Sequence, residues 1–240
     1  MLKRVEILNN KTILATNNGY RCIHVWDWDS IDKIVGLITC NRIIYARKCV
    51  LKNVSKSECD NFLSENHLQN TCNNQKYRLG LYYNDELVQI MTFGKPRYNH
   101  NAEYELLRLC SKIGTRIIGG AEKLFKYFIN TFNPNSIVSY CDNSKFNGDV
   151  YLRLGFILNS SSKPACHWYN AKYNIHITDN LLRANGFDRL LGSKFGYYGK
   201  GTSNKQLMID HGFVSIYDCG QSTYIYINQI KHKQNIIDFI

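Results

Sequence analysis

Cys110-Ser111-Lys112-Ile113-Gly114-Thr115-Arg116-Ile117-Ile118-Gly119-Gly120-Ala121 runs straight into Glu122-Lys123-Leu124-Phe125-Lys126-Tyr127-Phe128-Ile129. Leu124, Phe125, Phe128 and Ile129 recur at i, i+1, i+4 and i+5, which gathers them on one stripe of a helix. The helix opens on a glycine-rich turn and follows the strand-like stretch 104–110. Such a helix start presents unpaired backbone N–H groups and a positive dipole end, and glycine lets an anionic ligand approach closely. A strand, a glycine turn and an amphipathic helix therefore form the centre from which the rest is read.

Upstream, Ser55 with Glu58 three residues later has the spacing of a capping box and predicts a helix to about His67. Strands over 77–83 and 86–93 follow, joined by a tight turn at Asn84-Asp85. Before them, 42–51 reads as strand, Cys22-Ile23-His24-Val25-Trp26 as a strand, and Ile31, Ile34, Val35 and Ile38 as a short helix capped near Asp29 or Ser30. Downstream, 136–141 is a buried strand, 150–156 a helix stopped by Gly155, 159–164 a polar loop and 165–170 a strand. The tail predicts a helix around 181–184, a glycine-rich stretch over 192–201, a helix from Thr202 or Ser203, and a strand pair at 213–218 and 223–227.

Composition bounds the class. The chain has 240 residues, 44% of them hydrophobic and 20% charged, which is that of an ordered globular protein. The net charge is +11, and residues 41–175 hold 18 Lys or Arg against 10 Asp or Glu. That concentration points either to a polyanionic partner, DNA being preferred to a membrane, or to ordinary solubilising charge. Nine cysteines without a C-x-x-C pair or a signal peptide read as reduced thiols of a cytoplasmic protein. No apolar run approaches the ~18 residues of a membrane span, so no membrane partner is expected.

Arg116-x-x-Gly119-x-Ala121 resembles the pyrophosphate loop of GNAT N-acyltransferases. Tyr151-Leu-Arg-Leu-Gly155-Phe156, after a strand ending in Asp142-Asn143, resembles the signature that ends the next helix of that superfamily. A narrower similarity is to Mom-type phage proteins, which place an acylamino-derived group on adenine in DNA and shield it from restriction; it rests on Glu105-Leu106-x-Arg108-Leu109, Ser139-Tyr140-Cys141-Asp142 and Gly148-Asp149-Val150-Tyr151. The arrangement also looks like the domain that follows a Vsr-like nuclease core in phage homing-endonuclease-like proteins. Residues 1–40 then look like only the last strand and helix of that core, so no DNA cleavage is expected.

The resemblance implies an α/β (α+β) fold: a GNAT-like mixed, mostly antiparallel central sheet flanked by helices over 41–175, with a small extension at 1–40 and another at 176–240. It implies a transferase using acetyl-CoA or another acyl donor. The acceptor would be a base amine of DNA, in a phage-derived protein working in a bacterial cytoplasm. The alternatives are a catalytically inactive DNA- or protein-binding module, including a phage anti-defence protein, and an acetyl-CoA-dependent N-acetyltransferase.

Residues 116–121, with Arg116, Ile118, Gly119, Gly120 and Ala121, would hold the donor's phosphates; otherwise they form only a tight helix start. Tyr151 would act as general acid, or is a core tyrosine with a satisfied hydroxyl. Asp142 would orient or deprotonate the amine, or is a cap for the next helix. Glu105 is a candidate base and Arg108 a candidate anion ligand; at i and i+3 of a regular strand they fall on opposite faces. Lys95, Arg97 and Tyr98 form a candidate nucleic-acid loop, with Tyr82 and Tyr83 as further stacking candidates. His167 beside Cys166, and His24 near Cys22, have no second ligand pair at zinc spacing, so structural roles are preferred and no metal is expected.

Overall fold

The structure is a computed structural model that describes residues 2–199 and 201–228. Helices α1 (Leu2–Asn17) and α2 (Ile31–Ile38) precede β1 (Arg42–Tyr45), a 3-10 turn (Ala46–Lys48), β2 (Val50–Asn53) and α3 (Lys56–Asn66). Strands β3 (Tyr77–Tyr83), β4 (Glu86–Gly94), β5 (Tyr104–Ser111) and β6 (Thr115–Ile118) lead to α4 (Gly120–Phe132) and β7 (Ser136–Asp142). Then come α5 (Asp149–Arg153), β8 (Ile157–Ser161), β9 (Cys166–Asn170), β10 (Ile175–Thr178), α6 (Asp179–Phe195), α7 (Asn204–Asp210), β11 (Val214–Tyr217) and β12 (Gln221–Ile227). The described chain divides into a larger compact unit, 29–141, 147–160 and 222–228, and a smaller one, 2–28, 142–146 and 161–221.

The larger unit is built on a seven-stranded sheet in the order β2-β3-β4-β5-β7-β12-β8. Its pairings from β2 to β5 are antiparallel, whereas β5 and β7 run parallel. The architecture is thus the expected mixed, mostly antiparallel sheet flanked by helices. Asn84 and Asp85 both take positive φ, 50° and 61°, the conformation that matches a two-residue turn to the twist of a hairpin. Leu124, Phe125 and Phe128 of α4 pack on Leu79, Met91, Phe93 and Leu106, and the rings of Phe93 and Phe128 stack 3.6 Å apart. On the opposite face Cys59, Phe62 and Leu63 of α3 cover Tyr82, Leu87, Ile90 and Cys110. Each fully buried Leu or Phe contributes roughly 1.5–3 kcal/mol, so these two layers are what holds the sheet in place.

Local signals explain most elements. Ser55 caps α3 by accepting from the Glu58 amide at 3.2 Å, but the Glu58 carboxylate accepts from the Tyr82 hydroxyl at 2.8 Å and so does not close the reciprocal half of the capping box. Gly155, φ 85°, stops the helix after α5.

Four expectations are corrected. Residues 22–26 form no strand, because the segment is held by side chains: Arg21 Nη2 donates to the Lys145 carbonyl and Lys145 Nζ to that of His24. The 42–51 strand is broken in two by the 3-10 turn, where the carbonyls of Ala46 and of Cys49 just after the turn accept from Lys123 Nζ. The polar stretch 159–164 begins as strand, since β12 lies alongside β8 and supplies a ladder partner. The two tail strands do not pair with each other: β11 joins β9, and β12 enters the large sheet between β7 and β8. The chain turns between them at Gly220, φ 73°, where a Cβ would lie 2.5 Å from the Ser162 carbonyl oxygen.

The smaller unit carries a three-stranded antiparallel sheet, β10-β9-β11. Trp168, Leu182, Phe187, Leu191, Met208 and Phe213 form its core, and α6 bends at Gly186, φ 76°. Trp28 stacks on His176 with centroids 4.1 Å apart.

Candidate active site

The parallel strands β5 and β7 pair only through Tyr104 with Ile137 and Glu105 with Val138. Beyond that point the ladder ends although both strands continue, to Ser111 and Asp142. Two features mark the parting. The Ser139 hydroxyl, 1% exposed, donates to the Leu106 carbonyl at 2.9 Å, so a side chain takes over where backbone bonds stop. In β5 the register with β4 slips between Thr92 opposite Arg108 and Phe93 opposite Leu106, leaving Leu107 as an extra, bulged residue. A bulge bends the strand and resets its alternation.

That reset overturns the expectation that Glu105 and Arg108 face opposite ways. Leu106 and Leu109, three apart, both pack in the α4-side core, while Cys110 packs on the α3 side. Glu105 and Arg108 therefore share the α3 side. Glu105 is fully buried and its carboxylate accepts three bonds from one residue: Arg97 Nε at 2.9 Å, Nη2 at 2.6 Å and the Arg97 amide at 2.8 Å. Arg108, 8% exposed, donates to the Asn70 carbonyl at 3.0 Å and the Leu107 carbonyl at 2.9 Å. Burial pulls its pKa down, with Arg97 adding to that effect and the neighbouring Cys72, Glu105 and Tyr151 opposing it. Arg97, Glu105 and Tyr151 thus all act electrostatically on Arg108. His67 lies beside Arg108, and burial with the charges of Arg108 and Lys33 lowers its pKa to about 3, so it is neutral.

Tyr151 stands on α5. Its ring stacks on Tyr224 with centroids 5.0 Å apart, and its hydroxyl donates to the Tyr140 carbonyl at 3.4 Å. Burial pushes its pKa up to about 12, against a smaller opposing effect of the Ser139 hydroxyl, so it keeps its proton at neutral pH. Gly148 caps α5 with φ 82°, and the space a Cβ would need there is filled by the Tyr224 hydroxyl. Glycine at 148 is what lets Tyr224 support Tyr151.

At the start of α4, Gly119 is the left-handed cap, φ 74°, and only the Ala46 methyl comes within 4 Å of where its Cβ would lie, at 3.8 Å. Ile118, Gly119 and Arg116 are exposed, whereas Gly120 and Ala121 are buried. The exposed residues Arg47 and Lys48 belong to the 3-10 turn that flanks this end. An open first turn, glycine at its mouth and cations on the neighbouring backbone suit a diphosphate. Gly120 serves a different purpose: the side-chain carbonyl of Gln89 occupies its missing Cβ position and, among the described residues, has no hydrogen-bond partner.

The remaining candidates separate. Asp142 ends β7, and its Oδ1 accepts from the Ser144 amide at 2.9 Å and hydroxyl at 2.5 Å, an Asx turn. In the 95–98 loop Lys95, Arg97 and Tyr98 are all exposed, with the Arg97 guanidinium reaching in to Glu105; Tyr98 packs edge-on against Tyr140. Tyr82 is buried and Tyr83 half-buried under the Arg42 guanidinium. His167 hydrogen-bonds Asp218 and His176, and His24 bonds Thr12. The sequence analysis names Ser139 only within a resemblance and gives it no role, although a serine inside an apolar strand is a signal. It also missed the partnership of Arg97 with Glu105, which only the folded loop creates.

No protein-family model matches the sequence, and no curated protein does. Among solved structures, an acetyltransferase from Bacillus subtilis in complex with CoA is 12% identical, with a TM-score of 0.40 over 75% of this chain and 99% of its own. An N-acetyltransferase from Staphylococcus aureus is 11% identical, with a TM-score of 0.42 over 75% and 98%. A spermidine/spermine N-acetyltransferase from Vibrio cholerae, in complex with manganese ions, is 10% identical, with a TM-score of 0.41 over 79% and 98%. These are likenesses of fold.

Proposed function

We propose that this chain is a GNAT-type acyltransferase that moves an acyl group from a thioester donor, acetyl-CoA or a related compound, to an amine, with an exocyclic base amine of DNA as acceptor. The observation that carries the reading is the early parting of β5 and β7, with Ser139, Arg108 and Tyr151 around it. An opened strand pair leaves backbone groups free to bind an extended ligand, which a closed sheet could not. The donor, when bound, supplies an activated acyl carbon and a thiolate leaving group. Ile118, Gly119 and the first turn of α4 would hold its diphosphate, with Arg116 adding charge.

The protein's own groups then have distinct tasks. Tyr151, protonated at neutral pH and fixed by Tyr224, donates its proton to the leaving group. Arg108 offers a buried positive charge, which stabilises developing negative charge more strongly than it would in water. Glu105 acts as a positioning residue through Arg97, since its oxygens are already engaged. Asp142 belongs to the smaller unit and its Oδ1 is held by the Ser144 turn, so the amine's proton is released to solvent in this reading. The basic balance of residues 41–175 favours DNA as acceptor, and a base would have to leave the duplex to be reached.

Purified chain with radiolabelled acetyl-CoA and DNA tests this. Transfer of label to DNA is expected, and Tyr151→Phe should lower the rate roughly a hundredfold, the scale of a lost general acid, with little change in KM. Equal rates in the two proteins would remove Tyr151 from the chemistry, and consumption of thioester without labelled DNA would move the acceptor elsewhere.

A further inference from the structure

Helix α2 adds little to the core of the larger unit. Ile34 is its one buried residue, while Ile31, Val35 and Ile38 are exposed at 63%, 43% and 67%. What the helix does bring is a cation. Lys33 Nζ donates to the Ser64 carbonyl at 2.7 Å, the His67 carbonyl at 2.9 Å and the Asn70 side-chain oxygen at 2.6 Å. An ammonium has three N–H bonds, so each has an acceptor here, and all three acceptors are neutral. Lys33 therefore works as a clamp on one stretch of chain, 64–70.

That stretch is where α3 ends. The last carbonyls of a helix lack partners within it, and a lysine beside them also meets the negative end of the helix dipole. His67 is the C-cap, and its carbonyl accepts from the Asn70 amide as well, at 3.0 Å. Asn70 is left-handed, φ 53°, a conformation that costs energy unless the surroundings hold it. The group that holds its side chain is the Lys33 ammonium.

The backbone of the same residue holds Arg108. The Asn70 carbonyl accepts from Arg108 Nε at 3.0 Å, so Asn70 joins Lys33, at its side chain, to Arg108, at its main chain. The other acceptor of Arg108 among the described residues is the Leu107 carbonyl, next to it in the same strand. A guanidinium is planar with its N–H groups in a rigid fork, so a bond at Nε sets the plane of the whole group. His67 stays neutral beside the two cations, which spares them a third charge.

We propose that Lys33 is a positioning residue for Arg108: by fixing Asn70, it sets the orientation of the guanidinium. Its effect on rate rests on the transferase reading of Arg108; its effect on the guanidinium does not.

Two measurements on the full chain separate these. In protein carrying isotope-labelled arginine, the Arg108 Nε–Hε cross-peak, identified as the one lost in Arg108→Lys, should be resolved and slow to exchange with water. Lys33→Met should move it toward the position of a solvated arginine and speed its exchange about tenfold or more, as local opening does. Lys33→Arg, which keeps the charge and the donors, should restore most of the protection. In the thioester assay, Lys33→Met should lower kcat about tenfold or more with KM for the donor unchanged, as lost orientation does. The same change made in Arg108→Lys should lower kcat no further, because the group being positioned is gone. A cross-peak unaltered by Lys33→Met would overturn the proposal, and so would an unaltered kcat beside an altered cross-peak, or equal losses of kcat in the two backgrounds. If the wild-type chain consumes no thioester while the cross-peak still responds to Lys33→Met, the transferase reading fails and the clamp on Arg108 stands.

Discussion

Glu105 has no contact with water and one cationic partner, so its contribution depends on Arg97 being present. Arg97→Ala should destabilise the protein by on the order of 3 kcal/mol, because it leaves a buried carboxylate without its cationic partner and with only the residue-97 backbone amide as donor. The double variant Arg97→Ala/Glu105→Gln should recover part of that loss in a thermal melt; if the double variant is no more stable than the single one, the pair is not the cause. His67 gives a pH prediction of definite sign. Its pKa falls on folding, from the ordinary histidine range to about 3, so the unfolded chain binds the proton more readily. Stability from this group is present above about pH 6.5 and is lost as pH falls toward 3. His24 acts in the same direction, since burial and Lys145 also lower its pKa. Melting temperature should therefore drop between pH 7 and pH 4.5, and His67→Gln should flatten the drop.

At the scale of elements, the junction of α5 with β12 positions Tyr151. Gly148→Ala introduces both a strained left-handed backbone and a methyl in the place of the Tyr224 hydroxyl. It should lower the melting temperature and the transfer rate together, whereas Tyr151→Phe should lower the rate alone. Ser139→Ala, which removes the bond to the Leu106 carbonyl, should cost about 1–3 kcal/mol, because a buried acceptor is left without its donor.

Elements whose cause is local were legible in the sequence: the Asn84-Asp85 hairpin, the Ser55 cap of α3, the apolar stripe of α4 and the Gly155 stop all follow from neighbouring residues. What could not be read depends on distant partners. The bulge at Leu107 is imposed by pairing with β4, and it alone puts Glu105 and Arg108 on one side. The turn of Arg97 toward Glu105 and the entry of β12 beside β8 are likewise set by tertiary contacts, which have no periodic trace in the sequence.

Across the whole molecule, chain order and spatial grouping diverge, for residues 142–146 belong with 161–221 while 147–160 and 222–228 belong with the large sheet. No described helix is long and apolar enough to cross a membrane. The transferase reading assigns catalysis to the larger unit. The most direct test of the central claim is mass spectrometry of nucleosides from DNA of cells that express the chain or its Tyr151→Phe variant. A base heavier by an acyl-derived group with the intact protein, and absent with the variant, is the predicted result. Unmodified DNA in both, in cells that supply acetyl-CoA and that contain the folded protein, would contradict it.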